Sequence, residues 1–327
     1  MCSAYGVSES ASAPGKVILF GEHFVVYNSK AIVAAINRRC FARADFRGDA
    51  NTRIISEAIS YDGKSAIWSE KDLVNPLSKF YNTLLAESSL GAGPEIHIKS
   101  ELPIGAGLGS SAAFCVAIAG VLRSILKRNA KKGISAADKK WVFEKALQGE
   151  RSIHLKSSGV DCYVSTYGGL VDFAGLTKTK PIICQSLPLF LINTRIPHET
   201  SKLVSHVRRF SQNKAERFEE LVNDATAICS SASKALAQGS QEELGRLMNE
   251  NQKLLREIGV SNKEIEKIIS VCKKCGSLGA KITGAGGGGS ILVLASPQRV
   301  AALNSSIMNL GLRLEAIGIE KEGLVMD

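Results

Sequence analysis

The stretch Pro103-Ile104-Gly105-Ala106-Gly107-Leu108-Gly109-Ser110-Ser111-Ala112-Ala113 is rich in glycine and closes on paired serines. It runs into a mostly apolar segment, Phe114 to Leu126, that reads as a buried helix. Glycines at 105, 107 and 109 let the backbone turn tightly and approach an anion with no Cβ in the way, and Ser110 or Ser111 is placed to cap the helix start. Free N–H groups and the positive end of the helix dipole then face one point, which favours a bound phosphate. A tight turn ahead of a buried helix accounts for the same letters, and the loop alone leaves both readings open.

Two other phosphate motifs do not fit. Gly63-Lys64-Ser65 has the end of a Walker A sequence, but Ala58 stands where its first glycine belongs. A dinucleotide fingerprint needs a third glycine where Ser110 follows Gly105 and Gly107. Gly284-x-Gly286-x-x-Gly289 has the spacing, yet it leads into Ser290-Ile-Leu-Val-Leu-Ala, which reads as a strand.

Composition sets the frame. A chain of 327 residues, 45% apolar and 22% charged, is long enough for about two globular domains. Its longest uncharged run, Leu102 to Leu122, begins with Pro, Gly and Ser and is not a membrane span. The start, Met-Cys-Ser-Ala-Tyr-Gly-Val-Ser-Glu-Ser, lacks the features of a signal or transit peptide, so a cytoplasmic protein is expected. Eight cysteines lie scattered, mostly in apolar segments, with no disulfide framework; Cys272-x-x-Cys275 falls on an expected helix without further metal-ligand partners. The formal charge of +10 is dispersed in pairs such as Lys139-Lys140 and Arg208-Arg209 with few aromatics between them. That pattern suits small acidic ligands rather than nucleic acid or a membrane.

Strands are expected over Lys16–Tyr27, Ala31–Asp45, Glu95–Ser100 and Gly169–Phe173, with helices opened by Asn75-Pro76 and running from about Ser135 to Ile153. A Lys-, Thr- and Pro-containing segment, Leu176 to Pro188, reads as a linker, giving domains 1–180 and 181–327. Beyond it the order is a strand at Leu189–Asn193, helices near 200–238, two helices with capping boxes (Ser240-x-x-Glu243 and Ser261-x-x-Glu264), strands at Ala280–Thr283 and Ile291–Ala295, a helix opened by Ser296-Pro297, and a strand near Leu312–Gly318. Strand, helices, two strands, helix, strand is a ferredoxin-like order with extra helices.

Three further segments carry residues too polar for their apolar surroundings. Ala13 to Tyr27 holds Lys16, Glu22 and His23. Gly149 to Cys162 holds Glu150 and His154 one helical turn apart, then Asp161 behind a Ser-Gly break. Lys281-Ile-Thr-Gly-Ala-Gly-Gly-Gly-Gly289 is a second loop that lets an anion touch bare backbone.

Together, Ala-Pro-Gly-Lys-Val-Ile-Leu with Gly-Glu-His-x-Val-Val-Tyr, the 103–113 loop and Lys-Ile-Thr-Gly-Ala-Gly-Gly-Gly-Gly resemble the GHMP small-molecule kinases, and within them the mevalonate kinases. The resemblance implies an α+β, two-domain GHMP kinase fold with an N-terminal ribosomal-protein-S5-domain-2-like domain and a C-terminal ferredoxin-like domain. It implies ATP and Mg2+ as cofactors and mevalonate as the small-molecule substrate, phosphorylated on its primary hydroxyl, and it leaves a homodimer open.

Carried over residue by residue, the resemblance places the ATP phosphates against Gly105, Ala106, Gly107, Leu108, Gly109, Ser110 and Ser111, with Ser100 at a nucleotide contact. It makes Ser111 and Glu150 the magnesium ligands, Asp161 the catalytic aspartate and Lys16 its neighbour. Such an ammonium stabilises charge developing in transfer. Thr283, Gly284, Glu22, His23 and His154 fall on the substrate side. The family's Gly-x-Pro-Ser-Gly-Val-Asp-Asn run appears here as Leu155-Lys156-Ser157-Ser158-Gly159-Val160-Asp161-Cys162, which keeps the aspartate and loses the proline and asparagine. The alternatives are another GHMP activity on phosphomevalonate, galactose or homoserine, and a non-catalytic ligand- or RNA-binding relative.

Overall fold

The computed structural model describes residues 9–45, 54–59, 65–68, 76–88, 94–127, 133–153, 157–197 and 199–327. Its first half contains β1 (Glu9–Phe20), β2 (Ala31–Asp45), β3 (Ile54–Ile59), β4 (Ser65–Trp68), α1 (Pro76–Ser88), β5 (Glu95–Pro103), α2 (Ser110–Leu126), α3 (Ala136–Ile153), α4 (Val160–Tyr167), β6 (Leu170–Phe173) and β7 (Lys180–Pro181). Its second half contains β8 (Leu189–Asn193), α5 (Thr200–Asn213), α6 (Ala215–Gln238), α7 (Gln241–Glu257), α8 (Lys263–Lys274), β9 (Gly279–Thr283), β10 (Ser290–Leu294), α9 (Val300–Met308), β11 (Glu315–Ile317) and β12 (Val325–Met326).

The first sheet is ordered β12-β1-β2-β5-β3-β4. Its long strand β2 pairs with β5 through Cys40–Asp45 and with β6 through Ala31–Ala34. Helix α2 lies on this sheet with Ala112 to Leu122 almost wholly buried, which is why its sequence is apolar on every face. The second sheet is antiparallel in the order β11-β8-β10-β9, the ferredoxin-like arrangement. Strand β10 is buried along its whole length and alternates between two apolar clusters. Leu292 and Leu294 join the cluster of α2 and the first sheet, while Ile291 and Val293 face Leu255, Ile265 and Ile269. One apolar core therefore runs from the first sheet into the second. The expected junction at 180/181 falls inside β7, and the chain's last residues return to pair with β1.

Three expectations need correction. Lys16–Tyr27 is not one strand: β1 stops at Phe20, Gly21 and His23 take positive φ, and Phe24–Tyr27 form a single 3-10 turn. The β-rich letters Phe-Val-Val-Tyr are overridden because Phe24 is drawn into the second core beside Phe218, with ring centroids 6.1 Å apart. Helix α8 is capped by Asn262 rather than Ser261. Asn262 Oδ1 accepts the Ile265 N–H at 2.9 Å, while Ser261 donates to Glu266 at 2.6 Å. Ser240 does stand at the N-cap of α7, but its side chain makes no cap bond and Glu243 pairs with Arg246 instead.

Candidate active site

The glycine loop lies directly over β1. Lys16 donates its backbone N–H to Leu108 O at 2.9 Å, and a Cβ on Gly15 would stand 2.8 Å from the same oxygen. Gly105, Gly107 and Gly109 all have positive φ, the last as N-cap of α2, which begins at Ser110 rather than at Phe114. No side chain caps that end, so neither Ser110 nor Ser111 takes the capping role open to it, and the first amides of α2 are left to an anion. Ala106 and Leu108 point inward and are buried. Ser100 lies within β5, where its Oγ accepts the Leu102 N–H at 3.2 Å.

Lys16 owes its direction to a register shift in the β1–β2 pairing between Pro14 and Lys16. Its stem passes beneath the loop, where a Cβ on Gly109 would stand 2.8 Å from Lys16 Cγ. The ammonium ends 3.3 Å from Asp161 Oδ2. Asp161 lies in the first turn of α4, whose N-cap Gly159 adopts the left-handed conformation, so the carboxylate is presented at the helix start. Lys16 is 4% exposed and Asp161 is half-buried.

Ser111 Oγ donates to Glu150 Oε1 at 3.2 Å, joining the first turn of α2 to the end of α3. Burial pushes the Glu150 carboxyl up to about 7, with the Asp161 carboxylate adding to the rise and the Ser111 hydroxyl and Lys16 ammonium opposing it. Lys16, Asp161, Ser111 and Glu150 therefore form one electrostatic group beneath the loop.

The second glycine loop closes this group from the other sheet. Thr283 is 1% exposed, and its Oγ1 accepts the Ile18 N–H at 2.9 Å. Gly284 sits against Gly107, where a Cβ would come within 2.9 Å of Gly107 Cα. His23 Nε2 is 2.9 Å from Ala285 O and donates to it; burial lowers the pKa of its ring. Glu22 is fully enclosed rather than lining an open cavity: Lys281 Nζ donates to Oε1, and Asn251 Nδ2 donates to Oε2 at 3.2 Å. His154 lies outside the described residues.

Residues 75–169 match the GHMP kinases N terminal domain and residues 232–307 match GHMP kinases C terminal. The mevalonate kinase of Archaeoglobus fulgidus is 38% identical over 286 residues, covering 87% of this chain and 91% of the relative. That of Thermococcus gammatolerans is 32% identical, covering 96% and 97%. The crystal structure of L. major mevalonate kinase in complex with R-mevalonate superposes with a TM-score of 0.81 at 30% identity, covering 95% of each chain.

The chain belongs to the GHMP kinases. It is an α+β protein with the GHMP kinase fold and acts as an ATP-using small-molecule kinase. Among the described residues of this GHMP kinase, no helix is long and apolar enough to cross a membrane. Two residues that enclose Glu22 are given no role by the sequence reading. Lys281 carries a signal, a lone ammonium inside the apolar strand β9; Asn251, an amide on the long polar helix α7, carries none.

Proposed function

We propose that the chain transfers the terminal phosphoryl group of ATP to the primary hydroxyl of mevalonate, giving 5-phosphomevalonate, a step of isoprenoid synthesis. Relatives named mevalonate kinase align with nearly all of it. The observation that carries the reading is the pair formed by Lys16 and Asp161 at 3.3 Å beneath the glycine loop.

Phosphoryl transfer demands positioning and charge neutralisation more than covalent help. The uncapped start of α2 and the glycines before it hold the phosphates through backbone N–H groups. Asp161 orients the acceptor hydroxyl and takes its proton at the free carboxylate oxygen. Lys16 reaches across from β1 to stabilise the charge that builds on the transferring group. Thr283 and Gly284 close the site above the phosphate loop and restrict water.

A magnesium ion fits Ser111 and Glu150, two oxygen donors of which one is a carboxyl whose burial beside Asp161 a cation would relieve. Held by Ser111 and Glu150, it would supply positive charge to offset that of the phosphates.

The test is ADP release with mevalonate, phosphomevalonate, galactose and homoserine, each with magnesium and after chelation. Turnover is expected with mevalonate and magnesium; turnover of galactose or homoserine in its place overturns the reading.

A further inference from the structure

The second glycine loop is seated on the turn between α7 and α8, residues 258–262. Val260 is buried, its N–H is bonded back to Leu255 O at 3.2 Å, and its carbonyl accepts the Gly287 N–H at 2.8 Å. The approach is so close that a Cβ on Gly286 would collide with the same carbonyl, and φ of +78 there asks for glycine as well. Gln252 spans the elements on either side: its Oε1 accepts the Ile282 N–H at 3.0 Å and its Nε2 donates to Glu266 Oε1 at 2.8 Å. Turn, β9 and α8 therefore form one hydrogen-bonded seat for the loop.

Asn262 completes that seat with both ends of one side chain. Its Oδ1 accepts the Ile265 N–H at 2.9 Å as the cap of α8, and its Nδ2 donates to Gly287 O at 2.9 Å. The partners fix which end is which, because a backbone N–H requires the amide oxygen and a carbonyl requires the NH2 group. Gly287 is thus gripped at its N–H by Val260 and at its carbonyl by Asn262. Two residues upstream, Ala285 O accepts the His23 ring N–H at 2.9 Å, and beyond it Gly284 lies against Gly107. A displacement of Gly287 is carried along the loop toward both contacts.

We propose that Asn262 is a positioning residue for phosphoryl transfer: through Gly287 it fixes the second glycine loop against the loop before α2, a task separate from capping α8. The proposal rests on the mevalonate reading above, in which that loop closes the site.

The experiment compares wild type, Asn262→Asp and Asn262→Ala. Aspartate keeps the cap, since its oxygen accepts the Ile265 N–H as asparagine's does, but its carboxylate has no N–H for Gly287; alanine loses both bonds. Thermal unfolding should therefore place Asn262→Asp near wild type and Asn262→Ala below it. Steady-state ADP release with mevalonate, measured well below the unfolding midpoints, should show kcat lowered about tenfold or more in both variants, because small misplacements of reacting groups are costly. KM for ATP should change little. Hydrogen exchange separates the two tasks without reference to activity: residues 284–290 should exchange faster in both variants, and residues 263–266 only in Asn262→Ala. Wild-type kcat, or wild-type exchange of 284–290, in Asn262→Asp overturns the proposal and leaves Asn262 a cap alone. A wild type that releases no ADP with mevalonate overturns the function instead, and exchange of 284–290 then still decides whether Asn262 holds the loop.

Discussion

Gly107 and Gly284 meet back to back: a Cβ on Gly284 would stand 2.9 Å from Gly107 Cα, and one on Gly107 would stand 2.7 Å from Thr283 O. The loop that opens α2 and the loop that follows β9 thus touch through bare backbone, with Thr283 holding β1 at Ile18 beside them. The two sheets are joined where the two glycine loops touch, so the geometry of one loop depends on the other.

Gly284→Ala therefore acts through this contact. The new methyl group meets backbone, which cannot swing aside, and φ of +88 adds strain. A loss of about 1–3 kcal/mol and a raised KM for ATP are expected. Gly105→Ala is the control, since its φ of +70 carries the backbone strain but no atom lies within 4 Å. Thermal unfolding and ATP kinetics of both variants decide the matter; a Gly284→Ala protein no worse than Gly105→Ala would show that the contact does not matter.

Asp161→Asn keeps the shape of the site and removes the proton acceptor next to Lys16. Acceptor-dependent ADP release should fall by about 10²–10⁴-fold while ATP affinity holds. Near-normal turnover would reduce Asp161 to a bystander and leave the mechanism without its base.

How much of this was legible depended on whether local letters or distant partners decide the structure. Ala31–Asp45 reads as a strand to the residue, because an apolar run between turn signals fixes it locally. The glycine turn before α2 and the ferredoxin-like order are legible for the same reason. Phe24–Tyr27 misleads because Phe218, nearly two hundred residues away, captures Phe24. The surroundings of Glu22 are hidden from local letters likewise: Lys281 and Asn251 enclose it from the other half of the chain. The cap of α8 is misassigned by one residue because Asn262 is also tied to Gly287 O at 2.9 Å, a contact that no capping rule contains.

Asp138 supplies a pH-dependent element away from the site. Burial alone would raise its carboxyl, but hydrogen bonds from Lys127, Ser135 and Arg123 together hold it well below the usual carboxylate range. A carboxyl with a depressed folded pKa contributes stability that is fully present above its unfolded value, about 3.9, and is lost as pH falls through the folded one. Asp138→Asn should thus cost about 2 kcal/mol near neutrality, and the gap from wild type should narrow below about pH 4. Urea unfolding across pH measures it; a gap that stays constant into acid would rule out the charge as its source.

Glu22 and Lys281 form an ion pair with both side chains 0% exposed, at the point where β9 crosses the end of β1. Lys281 also donates to Ile282 O at 2.6 Å and approaches Ile18 O at 3.4 Å, so one ammonium ties β9 to the strand that carries Lys16. Burial opposes the charged form of each partner, raising the Glu22 pKa and lowering that of Lys281, while their mutual attraction works against both shifts. Removing one partner leaves the other buried and uncompensated, at a cost of about 3–5 kcal/mol, whereas replacing both with apolar groups of similar size can be neutral or stabilising. Lys281→Met should accordingly be strongly destabilised, and the double variant Glu22→Leu, Lys281→Met should regain most of the loss in urea unfolding. If the double variant is also less active than its stability accounts for, the pair positions the catalytic strand; full activity would confine it to joining the two sheets.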